Sequence, residues 1–312
     1  MSQESEKKKD PNPNNIGGQA VIEGVMMRGK EIYAMAVRNP EGGITVEKKE
    51  WGGLGKKGLF RFPIFRGISA FWDSLVTGTK ILMRSAEIAG EDWTEEELSP
   101  FEKFLQDKLG DKINDILIYF SVCLSLVLGM LLFFLLPVWL GNFFKTMVPV
   151  WALGVIEGLL RILIFLAYLF LISRMKEIKR VFQYHGAEHK TINCFESGAE
   201  LTVENVRPCT RLHKRCGTSF LLFVMLISMV VFFFVRTDQL LLRLVTRILL
   251  VPFIAGISYE VIRWAGRSES KLVQMVSYPG FCLQKLTTAE PDDSQIECAI
   301  AAMKGVLESE QE

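Results

Sequence analysis

The sequence has almost no excess of charge of either sign. It contains 36 Lys and Arg residues against 35 Asp and Glu residues, so its formal net charge at pH 7 is +1. A protein that binds nucleic acid through its phosphates needs a basic surface, and this overall balance gives no sign of one. The sequence therefore predicts no nucleic-acid partner.

Signals for a phosphate site, a disulfide framework and a secretory leader are also missing. The glycine-rich segment GGQAVIEGVMMRG at 17–29 lacks the Gly-Lys-Ser/Thr ending of a phosphate-binding loop. The six cysteines include no Cys-x-x-Cys pair, and disulfides are expected only if their loops face an oxidising compartment. Residues 1–15 are polar and lack the apolar stretch of a signal peptide, so they are predicted to form a disordered tail.

Long apolar runs dominate the middle and second half of the chain. Segment 116–136 has 21 residues without a charge, and further runs occupy 148–173, 220–235 and 239–262. A helix of about 20 apolar residues crosses a bilayer. The predicted fold class is therefore an α-helical integral membrane protein with about four transmembrane helices at 116–263, and its first partner is the lipid bilayer.

The basic residues of the connections predict an orientation. The loop 174–217 carries nine Lys and Arg residues, whereas the connection 139–149 carries only Lys145. Basic loops stay on the cytoplasmic side of a membrane. We therefore expect a multi-pass protein of the cell inner (cytoplasmic) membrane, with both termini and the 174–217 loop in the cytoplasm.

Charged residues inside the apolar runs need partners. Glu157 and Arg161 lie four residues apart in the second run, and Arg243 and Arg247 lie near the start of the fourth. Because both runs enter from the outer side, Glu157 is expected at the depth of the two arginines. The pattern predicts an inter-helix ion pair, and a structural clamp is favoured over a transport path.

A β-rich region is predicted before the membrane domain, at 16–62. Two β-like runs at 31–38 and 43–50 are joined by Asn-Pro-Glu-Gly, which indicates a hairpin. The glycine-rich segment 17–29 is predicted as a third strand.

Segment 63–115 is predicted to contain an amphipathic helix over 63–86 and then an acidic linker. The apolar spacing leaves open whether this helix lies in the membrane interface or packs on the bundle. After the last apolar run, residues 264–312 are predicted to be a cytoplasmic C-terminal tail.

All three histidines of the chain fall within 29 residues of the 174–217 loop. In the segment YHGAEHK, His185, Glu188 and His189 stand at i, i+3 and i+4, so a helix would present them on one face. Glu196 shares that face if the helix continues. Two imidazoles at this spacing can hold one metal, with a carboxylate beside them to ligate it or to move protons.

A second group follows in the same loop. Cys209, His213 and Cys216 stand at i, i+4 and i+7, and a helix would again place them on one face. Imidazole and thiolate suit zinc, the first candidate metal, with iron and manganese as alternatives. The competing interpretation is a hydrogen-bonded core beneath the N-terminal region.

The His-x-x-Glu-His arrangement resembles the inverzincin signature of some zinc peptidases. The resemblance implies that His185 and His189 are zinc ligands and that Glu188 is the general base. In that family a downstream glutamate completes the site, and Glu260 stands in a suitable place for this role.

Four longer motifs, in order along nearly the whole chain, resemble the YqhQ-like bacterial membrane proteins. They are GGQAVIEGVMMRG (17–29), FRFPIFRG (60–67), YHGAEHKTINCFE (184–196) and RLHKRCGTSFLL (211–222). That family has no known function and has been described as a predicted metal-dependent enzyme. The resemblance implies one integral membrane domain with a cytoplasmic metal site.

Three functions are compatible with these patterns. The first is a membrane-bound metal-dependent hydrolase whose site lies at the cytoplasmic membrane surface. The second is a non-catalytic membrane scaffold with a structural metal site, and the third is a transporter. A homo-oligomer or a membrane-protein partner stays open, and the substrate is unknown.

Overall fold

The computed structural model describes residues 16–52, 58, 62–90, 112–234, 239–265 and 270–309. The predicted disordered tail at 1–15 and the acidic linker lie outside these residues. The strands are β1 (Gly17–Val21), β2 (Gly24–Arg28), β3 (Ile32–Arg38) and β4 (Ile44–Glu50). The helices are α1 (Phe65–Ile88), α2 (Lys112–Met130), α3 (Leu136–Asn142), α4 (Val150–Ile172), α5 (Lys176–Glu196), α6 (Val203–Val206), α7 (Gly217–Phe234), α8 (Leu240–Ala265), α9 (Lys271–Thr287) and α10 (Asp293–Ser309).

The N-terminal region is a four-stranded antiparallel sheet in the order β1-β2-β3-β4. The predicted hairpin is confirmed as β3 and β4, whereas the single strand predicted at 17–29 is wrong. This segment turns at Glu23, whose φ is 51°, and pairs with itself as β1 and β2. The turn residues Ile22 and Glu23 are not typical of turns. Gly24, directly after them, allows β2 and β3 to approach closely, since a Cβ on Gly24 would lie 2.2 Å from the carbonyl oxygen of Ala36.

Both faces of the sheet are covered by helices. On one face Val25 and Met27 pack against α5 and α10 in the largest hydrophobic core. On the other face Met26 and Met35 pack in a smaller core that includes Ile81 of α1. Because successive strand residues point to opposite faces, β2 is buried on both sides.

Residues 264–312, predicted as a tail, contain two helices instead. The last one, α10, lies across β2, β3 and β4 and buries Ile296, Ala299, Met303 and Val306. These positions follow helical spacing, so the amphipathic pattern was present in the sequence. The C-terminal segment therefore supplies one wall of the main core.

Helix α1 occupies the segment where an amphipathic helix was predicted. One side meets α8 at a close backbone approach, where a Cβ on Gly67 would lie 2.8 Å from the Cα atom of Gly256. Large apolar side chains on its other side are exposed, among them Trp72, Leu75 and Val76. The helix thus joins the sheet to the apolar helices and keeps an uncovered apolar face.

The four predicted apolar segments are confirmed as helices that are long and apolar enough to cross a membrane, by length and composition. These stretches, here called the helical bundle, are Cys123–Asn142, Ala152–Ile172, Gly217–Phe234 and Leu244–Ala265. The first includes a π-helical segment, Leu131–Leu135. Together they indicate a multi-pass membrane protein.

The predicted inter-helix ion pair is present in the bundle. Glu157 of α4 forms a salt bridge with Arg247 of α8, and both side chains are buried. The side chain of Arg243 lies outside the described part of the structure. The pair links two helices that are far apart in sequence.

Candidate metal centre

Helix α5 carries the first histidine pair, as the spacing predicts. His185 and His189 are one turn apart, and their ring centroids are 4.4 Å apart. Gly186 lies between them because the link from α9 to α10 passes close by: a Cβ there would lie 2.1 Å from the carbonyl oxygen of Ala289. The glycine that weakens the helix in isolation is therefore needed in the folded chain.

The second group of candidates does not lie on a helix, contrary to the prediction. Residues 207–216 form turns and bends without regular secondary structure, and α7 begins only at Gly217. The side chain of Asn193 in α5 donates hydrogen bonds to the carbonyl oxygens of Thr210 and Leu212. These carbonyls are held by α5 rather than by helical amides, so the three candidates do not share one face.

Three side chains converge at the junction of α5 and α7. The ligand atoms of His185, His189 and Cys216 all lie within 4.8 Å of one another. Cys216 Sγ is 3.3 Å from His185 Nε2. His189 and Cys216 are buried, and His185 is half-buried. This group is the candidate metal centre.

Backbone carbonyls orient both imidazoles. Nδ1 of His185 lies 2.8 Å from the carbonyl oxygen of Thr287, and Nδ1 of His189 lies 2.6 Å from that of Arg211. A carbonyl oxygen only accepts, so each Nδ1 carries the proton and each Nε2 presents a lone pair. Burial lowers the pKa of His189, against the opposing effect of its hydrogen bond with Cys216. The neutral, ligating form is thereby favoured.

Cys216 stands immediately before the first turn of α7. The backbone N–H of Thr218 donates to its sulfur at 3.4 Å, and Thr218 Oγ1 lies 3.0 Å from it. The N–H groups of the first helical turn have no acceptor within the helix and favour negative charge, so this position suits a thiolate.

His213 and Glu196 are neighbours of the centre but not members of it. The rings of His213 and His189 have centroids 5.8 Å apart. His213 Nε2 lies 3.4 Å from Glu196 Oε2, and Glu196 also forms a salt bridge with Arg215. The backbone of His213 is held by Gln284, which hydrogen-bonds both its N–H and its carbonyl oxygen.

Cys209 and Glu260 lie elsewhere. Cys209 donates to the carbonyl oxygen of Asn205 at 3.3 Å. Glu260, expected as the third ligand, accepts two hydrogen bonds from Arg66 at 2.6 and 2.5 Å. Its place is the contact between α1 and α8, because its position around α8 faces that helix. The third residue of the converging group is therefore Cys216 and not a downstream carboxylate.

Glu188 is buried beside the centre and outside the converging group. Its carboxylate accepts the backbone N–H of Gly18 in β1, and a Cβ on Gly18 would lie 2.8 Å from Glu188 Cγ. Burial raises the pKa of Glu188 to about 7, while the nearby His185 and the Gly18 hydrogen bond act in the opposite direction. The Glu188 side chain therefore connects α5 to strand β1 of the sheet.

Several supporting groups had no signal in the sequence. The carbonyl oxygens of Thr287 and Arg211 are backbone atoms, so residue type does not reveal them. The only sequence signal of Gln284 is that it is a polar residue within the amphipathic pattern of α9. Within the predicted second group, the place of Cys216 directly before an apolar run is the one feature that could have favoured it over Cys209 and His213.

The bundle, the sheet and the histidine–cysteine centre together define a class of helical membrane proteins with a covered antiparallel sheet. The family model described as "Protein of unknown function (DUF1385)" matches residues 62–309, and the chain belongs to this family. The "Uncharacterized protein YqhQ" of Bacillus subtilis (strain 168) is 38% identical over 308 residues, covering 96% of this chain and 94% of that protein. The predicted family resemblance is thus confirmed. No solved structure matches the chain.

Proposed function

We propose that this protein is a membrane-bound metal-dependent enzyme, a hydrolase, with its site at the cytoplasmic membrane surface. One observation supports it above the others: His185, His189 and Cys216 place their ligand atoms within 4.8 Å of one another. The three residues come from two separate elements, so their convergence is a property of the folded chain.

The donor set fits a transition metal. Both Nε2 lone pairs are directed by hydrogen bonds from Nδ1 to carbonyls, which is the outer-shell arrangement of metal-bound histidines. Two imidazoles and a thiolate favour zinc, then iron, and are least suited to manganese. When bound at such a site, zinc activates water for hydrolysis near neutral pH.

The chain's own residues divide the remaining work. Three protein ligands leave a coordination position for water or substrate, as in catalytic zinc sites. Glu188 is the candidate general base and would accept the proton that hydrolysis releases. Its burial and its bond to Gly18 hold it in one place next to His185.

The proposed location rests on charge and exposure. The 174–217 loop has nine basic residues, so the positive-inside rule assigns this side to the cytoplasm of the cell inner membrane. Cys216 directly precedes the apolar stretch Gly217–Phe234, which brings the centre to the edge of the apolar layer. On the same reasoning α1 lies in the membrane interface, with Trp72 and Leu75 toward lipid.

A non-catalytic scaffold with a structural metal is the second candidate. The observation in its favour is that His213 and Glu196 lie next to the centre, with the His213 ring 5.8 Å from that of His189. A small shift would supply a fourth protein ligand and close the site. In this case the metal would fasten the loop to α5.

Metal content tests both candidates. Full-length protein purified under metal-replete conditions should contain about one transition metal per chain, and Cys216→Ser or His185→Ala should remove nearly all of it. Cys209→Ser is the matched control and should retain the metal, because Cys209 lies outside the centre. Metal-free wild type would overturn the proposal. Loss of metal from His213→Ala as well would favour the closed structural site.

A further inference from the structure

A second buried polar group lies within the helical bundle. It consists of Glu157 and Arg161 in α4 and Arg247 in α8, here called the intramembrane charge cluster. These residues expose 1%, 4% and 4% of their surface, respectively. Ser228 of α7 contacts Arg161 of this cluster. It lies 12 residues after Cys216, about 18 Å along α7, so the cluster is separate from the candidate metal centre.

The cluster has an uneven charge count. It contains two guanidinium groups and one carboxylate, and the salt bridge joins the carboxylate to Arg247. Arg161 forms no salt bridge among the described residues, and Glu157 acts on it only through its charge at longer range, so the cluster keeps an excess positive charge. Charged groups in an apolar layer are costly and are retained where they have a partner or a function.

Arg161 is only partly satisfied by its surroundings. Its Nε donates to the carbonyl oxygen of Phe133 at 2.8 Å, and its Nη1 donates to Ser228 Oγ at 3.2 Å. Its Nη2 is buried and has no hydrogen-bond partner among the described residues. A buried donor left without an acceptor is expensive, more so when it is charged.

All four helices of the bundle contribute to this arrangement. Phe133, whose carbonyl oxygen accepts the bond from Arg161, belongs to the π-helical segment, an irregularity often found at functional sites. The Phe232 ring of α7 has guanidinium carbons at 5.3 Å (Arg161) and 4.9 Å (Arg247) from its centroid. Gly141 of α3 lies so close that a Cβ there would be 2.5 Å from Glu157 Cγ. The cluster is thus a built site rather than a chance contact.

We infer that the intramembrane charge cluster binds a small monovalent anion of the size class of chloride or bromide. Such an anion accepts the N–H of Arg161 Nη2 and neutralises the extra charge. A cation is disfavoured by the net positive charge, and a clamp with no further role would need only the Glu157–Arg247 pair. The inference is independent of the metal centre.

Halide-dependent stability tests this inference. The thermal unfolding temperature of the full-length protein in detergent is measured while sodium chloride or bromide replaces sodium gluconate at constant ionic strength. We expect a saturable rise with either halide. Identical unfolding temperatures in gluconate and halide would overturn the inference.

Two variants and a control assign the effect. Glu157→Gln removes the competing negative charge, so halide affinity should rise about tenfold. Arg161→Gln should abolish the saturable response, whereas Arg174→Gln, at an exposed position two residues after the end of α4, should leave it unchanged. Glu157→Gln with unchanged or weaker affinity contradicts the inference even if Arg161→Gln fails to fold. A folded Arg161→Gln variant that keeps the response contradicts it too.

Discussion

The metal centre and the intramembrane charge cluster are both buried, yet they present opposite hydrogen-bonding groups. In the metal centre the N–H groups of both imidazoles are used by backbone carbonyls, which leaves lone pairs directed inward. In the charge cluster the carboxylate of Glu157 forms a salt bridge with Arg247, and the buried Nη2 of Arg161 has no hydrogen-bond partner among the described residues. Under the two proposals, the first arrangement suits a cation and the second an anion. The comparison indicates that the hydrogen-bond partners of a buried group, more than its residue type, determine which charge it can accommodate.

The largest expected effect comes from a packing change at Gly186, which should disturb the candidate metal centre and leave the charge cluster intact. Gly186→Ala places a Cβ 2.1 Å from the carbonyl oxygen of Ala289, so the link between α9 and α10 must move. We expect a loss of about 3 kcal/mol in the free energy of unfolding and a lower metal content. Chemical unfolding and metal analysis measure both.

The halide response of Gly186→Ala should persist, since the charge cluster is remote. Gly154→Ala is the control, because its added Cβ would lie 3.5 Å from the carbonyl oxygen of Phe232, an ordinary contact. Equal stability of the two variants would show that the close approach at Gly186 does not hold the metal centre together.

A smaller effect is expected from the hydroxyl of Thr218 beside the sulfur of Cys216. Thr218→Val keeps the shape of the side chain and removes the oxygen 3.0 Å from Cys216 Sγ. Loss of such a supporting group should weaken metal affinity about tenfold, and the centre should still bind metal fully at a higher metal concentration. Competition with a chromogenic chelator measures the affinity. Thr79→Val removes a hydroxyl that bonds only the carbonyl oxygen of Leu75 among the described contacts, and it should not change the affinity.

The smallest expected effect lies in the charge cluster. Ser228→Ala removes the acceptor of Arg161 Nη1, which should cost about 1 kcal/mol of stability in gluconate. Chloride should recover part of this loss, because the arginine then has a further N–H to offer. Metal content should be unchanged. Ser173→Ala, which removes a hydroxyl bonded to the carbonyl oxygen of Phe170, is the control. A loss equal in chloride and gluconate would break the proposed contrast between the sites.

Local patterns in the sequence predicted the elements better than their contacts. The apolar runs and the helix of His185 and His189 follow from composition and spacing, which a single element determines. The partner of the histidines does not: Cys209, His213 and Cys216 have helical spacing, but their loop is not helical and Asn193 of α5 binds two of its carbonyl oxygens. Only the packed chain selects Cys216.

Two other misses have similar physical causes. Residue spacing does not give the rotation of a helix within a bundle, so Glu260 was expected at the metal site although it faces Arg66. The amphipathic pattern of α10 is short and follows the membrane domain, and its sheet partner lies some 260 residues earlier. Long-range partners of this kind leave no local trace in the sequence.

The carbonyl of Thr287 has a consequence for how the protein is made. His185 obtains its hydrogen-bond partner 102 residues later in the chain. At a synthesis rate of roughly 5–20 residues per second, this delay is about 5–20 s. Through most of that time His189 and Cys216 are already synthesised, but His185 lacks the carbonyl oxygen that holds its Nδ1, and the sheet still lacks α10. The orienting contact of His185 therefore depends on a late part of the chain, and we expect a chain truncated before Thr287 to leave the candidate metal centre incomplete.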